Sequence, residues 1–269
     1  MKYILLFTIL ALEVFGAVIK SPVVSVDNQN ETATIKTDKI DVGVSGFVVH
    51  HISPEHSAIV KNAVVQSFNA QTKTATIKMS AFTALQNSAL PHGKWQVQVG
   101  DTVELAFGYS RSLLIAPNEE IYYRIAKSVQ TQWIHPDLFA TVLSFRGHPT
   151  PLKEDFEAMA DAGSVGLLFI YLNQKVYTLD IKSFKILSIS DAKLKQDKVH
   201  LPFYTRVNNI DAAWWGAGSS RLKSYAPHYY ELLVANNKTN KELYNIIKNG
   251  DASLHYLLDE FETGKQDDR

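Results

Sequence analysis

The chain contains no cysteine. This absence excludes disulfide bonds, a thiol nucleophile, thiolate metal sites and a lipid-modified N-terminal cysteine. It does not exclude a secreted protein, because disulfides matter most in scaffolds much smaller than this chain of 269 residues. The hydrophobic core must therefore be held by packing alone.

Net charge is also absent, since 27 basic side chains balance 27 acidic ones. A chain without excess positive charge has no broad electrostatic field that attracts nucleic acid or an acidic membrane face. The sequence therefore predicts no nucleic-acid partner, and any other partner must be recognised by a local arrangement of side chains.

The N-terminal apolar run is short. It covers residues 3–12, follows one cation and ends at Glu13, whereas a membrane-spanning helix needs about 20 apolar residues. Small residues come next, so the layout predicts a secretory signal peptide over residues 1–17, cleaved after Gly16 or Ala17. A retained N-terminal anchor is the alternative interpretation.

Short strands separated by polar turns predict an all-β module over residues 21–115. The module contains an internal repeat, because SVDNQNETATIK (25–36) and SFNAQTKTATIK (67–78) align without a gap and share seven of twelve letters. Each copy has the pattern of a strand, a polar turn and a second strand. Two related hairpin units predict a small β-barrel or sandwich.

Residues 116–263 predict an α+β domain, followed by a polar tail at residues 264–269. Apolar residues recur at helical spacing after Pro117 and again from Thr150 to Gly163. The stretch GLLFIYLNQKVYTLDIKSFKILSIS supplies three apolar runs joined by short turns, which predict an antiparallel meander.

Two more helices are predicted near the C-terminus. Thr239 and Glu242 have the spacing of a capping box, and Gly250 ends that helix. A last amphipathic helix buries leucines and Phe261. The predicted fold class is α+β, with an N-terminal barrel or sandwich and then helices around the antiparallel meander.

The stretch HHISPEH (50–56) holds three of the nine histidines and has two interpretations. Either His50 or His51 joins Glu55 and His56 in a zinc or copper site, or the stretch is the polar end of a hairpin. It lacks the fixed helical spacing of H-E-x-x-H and offers no fourth ligand, so we predict the hairpin end and no metal.

No stretch completes a catalytic or nucleotide-binding motif. GVSG (43–46) and GAGS (216–219) contain glycine-flanked serines, but neither completes G-x-S-x-G. Neither a P-loop nor a dinucleotide-binding glycine pattern opens a helix after a strand. The sequence therefore predicts no enzymatic activity and no cofactor.

The densest aromatic stretch, residues 210–233, surrounds a Gly-Ser loop that carries Arg221 and Lys223. Aromatic rings beside cations are typical of binding hot spots, which makes Trp214 and Trp215 candidate ligand contacts. The alternative is that the two tryptophans fill the space between the helices and the meander. The sequence favours this alternative, with at least one tryptophan in the core.

Several long stretches resemble the plasminogen-binding protein PgbA family in its N-terminal region. They are IDVGVSGFVVHHISPEHSAIVKNAVV, NSALPHGKWQVQVGDTVELAFGYSRSLLIAPNEEIYYRI, WIHPDLFATVLSFRGHPTPLKEDF, LPFYTRVNNIDAAWWGAGSS and PHYYELL. The similarity spans nearly the whole chain after the predicted signal peptide, so the chain is identified as a member of this family.

The resemblance implies an exported protein of a Gram-negative bacterium, in the periplasm or at the outer-membrane surface, that captures host plasminogen without catalysis. It implies recognition of lysine by kringle modules, which hold the ammonium with acidic side chains and the alkyl stem against aromatic rings. The candidate contacts are exposed lysines, one of which would become terminal if the tail were trimmed. They are Lys265, Lys193, Lys195, Lys238 and Lys241.

The alternative function belongs to another class. In it the chain is a periplasmic structural subunit whose β module and aromatic region pack into an envelope assembly such as an accessory ring of the flagellar motor. Its partners would then be other envelope proteins. This alternative depends on an analogy between folds.

Overall fold

The computed structural model describes residues 17–82 and 95–262. Residues 1–16 of the predicted signal peptide and the predicted polar tail, with Lys265, lie outside the described residues. Among the described residues, the members of the two hydrophobic cores fall between residues 19 and 261. Within the described ranges, no helix has the length and apolar character needed to cross a membrane.

The N-terminal part is a closed antiparallel β-barrel, which is one of the two architectures predicted, a small barrel or a sandwich. Its strands follow the order β1-β2-β5-β4-β3-β6, and β6 pairs again with β1. The strands are β1 (Ile19–Asp27), β2 (Thr32–Lys36), β3 (Ser45–Ser53), β4 (His56–Asn69), β5 (Thr74–Ala81) and β6 (Thr102–Leu105).

The internal repeat forms two equivalent hairpins, β1-β2 and β4-β5. Their turns match in detail, because the aligned residues Glu31 and Lys73 both have a left-handed backbone, with φ of 49° and 51°. The hairpins pair through β2 and β5, where Thr34 lies opposite Thr76, the equivalent position of the other copy. An approximate twofold axis therefore relates the two copies.

Strand β6 closes the barrel by pairing with both β1 and β3. The closure requires a glycine at position 46, because a Cβ atom there would lie 1.9 Å from the backbone oxygen of Glu104. Alternate side chains of the strands point inward and fill the interior. Val103 and Leu105 of β6 are fully buried in this way.

A second, five-stranded sheet follows in the order β11-β10-β9-β7-β8. Strands β9 to β11 form the predicted antiparallel meander. Two parallel strands that the sequence did not predict extend it on the β9 side. The strands are β7 (Arg111–Ile115), β8 (Gln132–Ile134), β9 (Leu167–Leu172), β10 (Lys175–Asp180) and β11 (Ile186–Asp191). Residues 111–115, assigned by sequence to the all-β module, thus belong to this sheet.

Helices cover the second sheet. They are α1 (Glu119–Ser128), α2 (Pro136–Arg146), α3 (Lys153–Gly163), α4 (Tyr225–Asn236) and α5 (Lys241–Lys248), followed by a 3₁₀ helix (Ala252–Glu260). Side chains of β9 alternate between two cores. Leu168 and Ile170 face α2 to α5, whereas Leu167 and Phe169 join α1 and the barrel interior. The barrel interior and one face of the second sheet therefore share one of the two cores, and the other face forms the second core with the helices.

The predicted helix starts lie within three residues of the observed ones, but two details were wrong. Asn240 rather than Thr239 caps α5, because its side chain accepts a hydrogen bond from the backbone N–H of Leu243 at 2.9 Å. The last predicted helix is a 3₁₀ helix rather than an α-helix. The sequence prediction also omitted α2 and α4.

Candidate functional site

Lys193 and Lys195 are exposed in a segment without regular secondary structure that follows β11. We call residues 193–198 the lysine segment. The ammonium of Lys195 lies 3.0 Å from a carboxylate oxygen of Asp197, and the two side chains are 87% and 66% exposed. The segment therefore presents amino and carboxyl groups together at the surface.

Both ends of the lysine segment are held by hydrogen bonds. At the first end, the Tyr171 hydroxyl donates to the backbone oxygen of Leu194 at 2.7 Å. At the other end, the Asn118 side chain donates to the oxygen of Lys198 at 2.9 Å. Between these two hydrogen bonds, Lys195 and Asp197 are exposed.

Lys238 and Lys241 lie elsewhere, at the connection between α4 and α5. The ammonium of Lys238 is 3.4 Å from a carboxylate oxygen of Glu260, and the Lys238 side chain is 42% exposed. Lys241 is exposed at the first position of α5. The candidate lysines thus occupy two separate places on the chain rather than one common site.

The predicted burial of the tryptophans is wrong, because Trp214 is 97% exposed and Trp215 is 81% exposed. The space between the helices and the meander is filled instead by Tyr225, Tyr229 and Tyr230 of α4. Their hydroxyls form hydrogen bonds inside the protein. Burial raises the pKa of the Tyr225 and Tyr229 hydroxyls well above the ordinary value.

Residues 209–223, which we call the tryptophan loop, are fixed to the end of α2 through backbone hydrogen bonds. The N–H of Ala213 donates to the oxygen of Gly147 at 2.8 Å, and the N–H of Thr150 donates to the oxygen of Gly218 at 3.1 Å. The approach is close, because a Cβ atom on Gly147 would lie 2.5 Å from the Ala213 nitrogen. The loop is held by its backbone while the indoles remain free.

A buried carboxylate lies beneath this contact. Asp155 is fully buried and accepts hydrogen bonds from the side chains of Arg146 and His148 and from the N–H of Leu152. Together with Glu154 it makes the group His148, Glu154 and Asp155, whose possible metal-ligand atoms lie within 4.8 Å of one another. The Arg146 guanidinium pairs with both carboxylates and already supplies the positive charge that a metal ion would.

The HHISPEH stretch is the end of a hairpin, since β3 ends at Ser53 and β4 begins at His56. Each imidazole has its own partner. His50 lies 2.6 Å from a carboxylate oxygen of Asp101, His51 lies 2.7 Å from the Ser57 hydroxyl, and His56 lies 3.1 Å from the Ser53 hydroxyl. The three rings therefore do not converge on a common point.

Comparison with known proteins gives one family. Residues 18–233 match the family described as plasminogen-binding protein pgbA N-terminal. Two Helicobacter pylori proteins, from strains J99 and 26695 and both named plasminogen-binding protein PgbA, are each 30% identical over 203 residues, or 74% of this chain. The chain spans only 44% and 43% of their lengths. No solved structure matches.

The match divides the candidate residues into two groups. Lys193, Lys195 and both tryptophans lie inside residues 18–233, whereas Lys238 and Lys241 lie beyond them. The matched region includes the barrel, the second sheet, the lysine segment and the tryptophan loop.

Proposed function

This chain belongs to the plasminogen-binding protein pgbA N-terminal family, and from that membership we propose that it is an exported, non-enzymatic protein that binds plasminogen. The names of its relatives support plasminogen as the ligand. The family match begins at residue 18, directly after the second of the two predicted cleavage positions, and this supports export.

The observation that carries the binding mechanism is the lysine segment. A site built for lysine recognises an ammonium through acidic side chains and a carboxylate through basic ones. Lys193 and Lys195 offer ammonium groups, and Asp197 offers the carboxylate, within one exposed segment of the family region. An exposed ion pair such as Lys195 with Asp197 contributes at most about 1 kcal/mol, so it opens readily for a partner.

The fixed ends of the segment favour binding further. A segment that is already ordered loses less conformational freedom when it binds than a mobile one does. The hydrogen bonds from Tyr171 and Asn118 therefore support the lysine segment as the contact, over a long flexible arm.

We predict that the double substitution Lys193→Ala and Lys195→Ala weakens binding to immobilised plasminogen at least about tenfold, because an ammonium inserted in an acidic pocket is a hot spot. The measurement uses the chain from residue 18 in surface plasmon resonance. The matched control is Lys238→Ala with Lys241→Ala, which should bind like the unmodified chain.

A lysine analogue, 6-aminohexanoate, should release the unmodified chain from plasminogen. Binding that persists at saturating analogue would contradict the lysine mechanism. If the control variant weakened binding and the lysine-segment variant did not, the contact would lie at the start of α5 instead.

We propose that the protein reaches the outer surface of the cell, where plasminogen is accessible. Protease added to intact cells should then degrade it, while a periplasmic marker enzyme survives. Protection of both proteins, followed by degradation of both after the outer membrane is opened, would instead favour the periplasmic structural subunit.

A further inference from the structure

Exposed apolar side chains lie both on the tryptophan loop and on α2, the helix whose end holds that loop. Trp214 and Trp215 are exposed, and so are two residues of α2, Phe145 at 89% and Leu138 at 55%. Leu138 and Phe145 are seven positions apart and so lie on one face of the helix. Phe145 lies beside the loop, because its neighbour Ser144 accepts the N–H of Asp211 at 3.1 Å. Clusters of this kind mark interaction sites.

The cluster is a projection rather than a groove. A Cβ atom placed on Gly216, next to the indoles, would meet no atom within 4 Å. No aromatic contact joins either indole to another ring among residues 17–82 and 95–262. Hot spots between proteins are packed into pockets. A projecting pair of tryptophans, each with an apolar ring and a polar N–H, instead fits the interface between lipid and water.

The charge at the base of the loop complements such an interface. In the part of the chain that the structure describes, no carboxylate lies within ion-pair distance of Arg221 or Lys223. The Arg221 guanidinium bonds the side-chain oxygen of Asn209. By contrast, the nearby Arg206 and Arg146 are paired with carboxylates. Two uncompensated cations beside exposed indoles match the phosphates of anionic lipids.

We propose that the tryptophan loop and the exposed face of α2 dock on a membrane surface that contains anionic phospholipids. The indoles of Trp214 and Trp215 enter the head-group region, Phe145 follows them, and Arg221 and Lys223 contact phosphates. The backbone bonds from Gly147 and Thr150 hold the loop in place beforehand, so docking orders little additional chain. The neutral net charge of the chain leaves this local arrangement as the source of the attraction.

The experiment is vesicle sedimentation with the chain from residue 18, which contains both cores and lacks the apolar N-terminal run. Vesicles of phosphatidylcholine alone are compared with vesicles in which about a third of the lipid is phosphatidylglycerol, the anionic probe. The unmodified chain should bind the anionic vesicles, and its tryptophan emission should shift to shorter wavelength as the indoles leave water.

Two variants separate the apolar and the charged contributions. Trp214→Ser with Trp215→Ser should weaken binding to anionic vesicles at least about tenfold, since two large side chains no longer leave water. Arg221→Ala with Lys223→Ala should weaken it about tenfold on anionic vesicles and leave binding to neutral ones unchanged. Trp95→Ser, at a half-exposed tryptophan on the barrel, is the matched control and should bind normally.

Equal vesicle binding by the unmodified chain and the double tryptophan variant would overturn the proposal. So would failure to bind vesicles together with self-association that the tryptophan substitutions abolish, because the cluster would then be a contact between copies. The lysine-segment variant provides an independent check, since it should lose plasminogen binding and keep vesicle binding.

Discussion

Replacing Asp180 with alanine is expected to lower the free energy of unfolding by about 4 kcal/mol. Asp180 ends β10, is fully buried and accepts five hydrogen bonds. One carboxylate oxygen accepts the N–H and the hydroxyl of Ser45 and the hydroxyl of Tyr109. The other accepts the N–H groups of Lys182 and Ser183. Alanine would leave these buried donors without their acceptor.

The effect should be concentrated where the barrel meets the second sheet. Ser45 begins β3 of the barrel, whereas Lys182 and Ser183 form the turn after β10. The same carboxylate thus connects the second sheet to Ser45 of the barrel, which lies 135 residues earlier in the sequence. Burial and the nearby Asp180 charge raise the pKa of the Tyr109 hydroxyl, which keeps it protonated as a hydrogen-bond donor.

Urea unfolding measures the loss of stability. Hydrogen exchange at the N–H groups of Ser45 and Ser183 measures how often the contact between the barrel and the second sheet opens. The matched control is Asp191→Ala, at an exposed aspartate of the adjacent strand whose side chain pairs with Lys175. Loss of that surface pair should leave the midpoint of unfolding nearly unchanged. If both variants lost the same small part of the free energy of unfolding, Asp180 would not be the residue that connects the two sheets.

The sequence allowed the barrel to be predicted because its repeat preserves local information. The longest run of shared letters, TATIK, forms the second strand of each hairpin, and the left-handed turn residue just before it occupies the same position in both copies although it is Glu31 in one and Lys73 in the other. The closure by β6 was not predictable. It depends on the close approach of Gly46 to Glu104, and no local pattern encodes the partner of a strand.

The omission of α2 has a physical reason. Helix prediction relies on an apolar face opposite a polar one, but α2 is apolar on both sides, with Phe139 and Leu143 buried and Leu138 and Phe145 exposed. Only its ends carried a signal. Pro136 occupies the first turn, and Gly147 ends the helix with φ of 71°.

The same limit explains the error on the tryptophans. Large aromatic residues are usually buried, so their composition predicted a place in the core. Their exposure follows from contacts between the tryptophan loop and residues 144–150, which the linear sequence does not connect. For the lysines, only the structure distinguishes the lysine segment from Lys238, which is half-buried beside Glu260.

The alanine substitution at Asp155 is expected to lower the free energy of unfolding by about 3 kcal/mol, because removing the buried carboxylate leaves several hydrogen-bond donors around it without their acceptor. Arg146 would keep only Glu154, while His148 and the N–H of Leu152 would lose their acceptor. Glu154→Ala is the matched control. Its side chain is 57% exposed, so its loss should cost less than about 1 kcal/mol.

Asp155 should also control the order of the tryptophan loop. Its hydrogen bonds fix the turn from Arg146 to Leu152, and that turn supplies the Gly147 oxygen and the Thr150 N–H that hold the loop. We therefore expect faster hydrogen exchange at Ala213 and faster proteolysis after Arg221 in Asp155→Ala than in Glu154→Ala. Lower stability with unchanged exchange at Ala213 would mean that the loop is held independently of the carboxylate. Faster exchange would show that Asp155, which is buried within the stretch FRGHPTPLKEDF, helps to hold the loop that carries exposed indoles almost 60 residues later in the sequence.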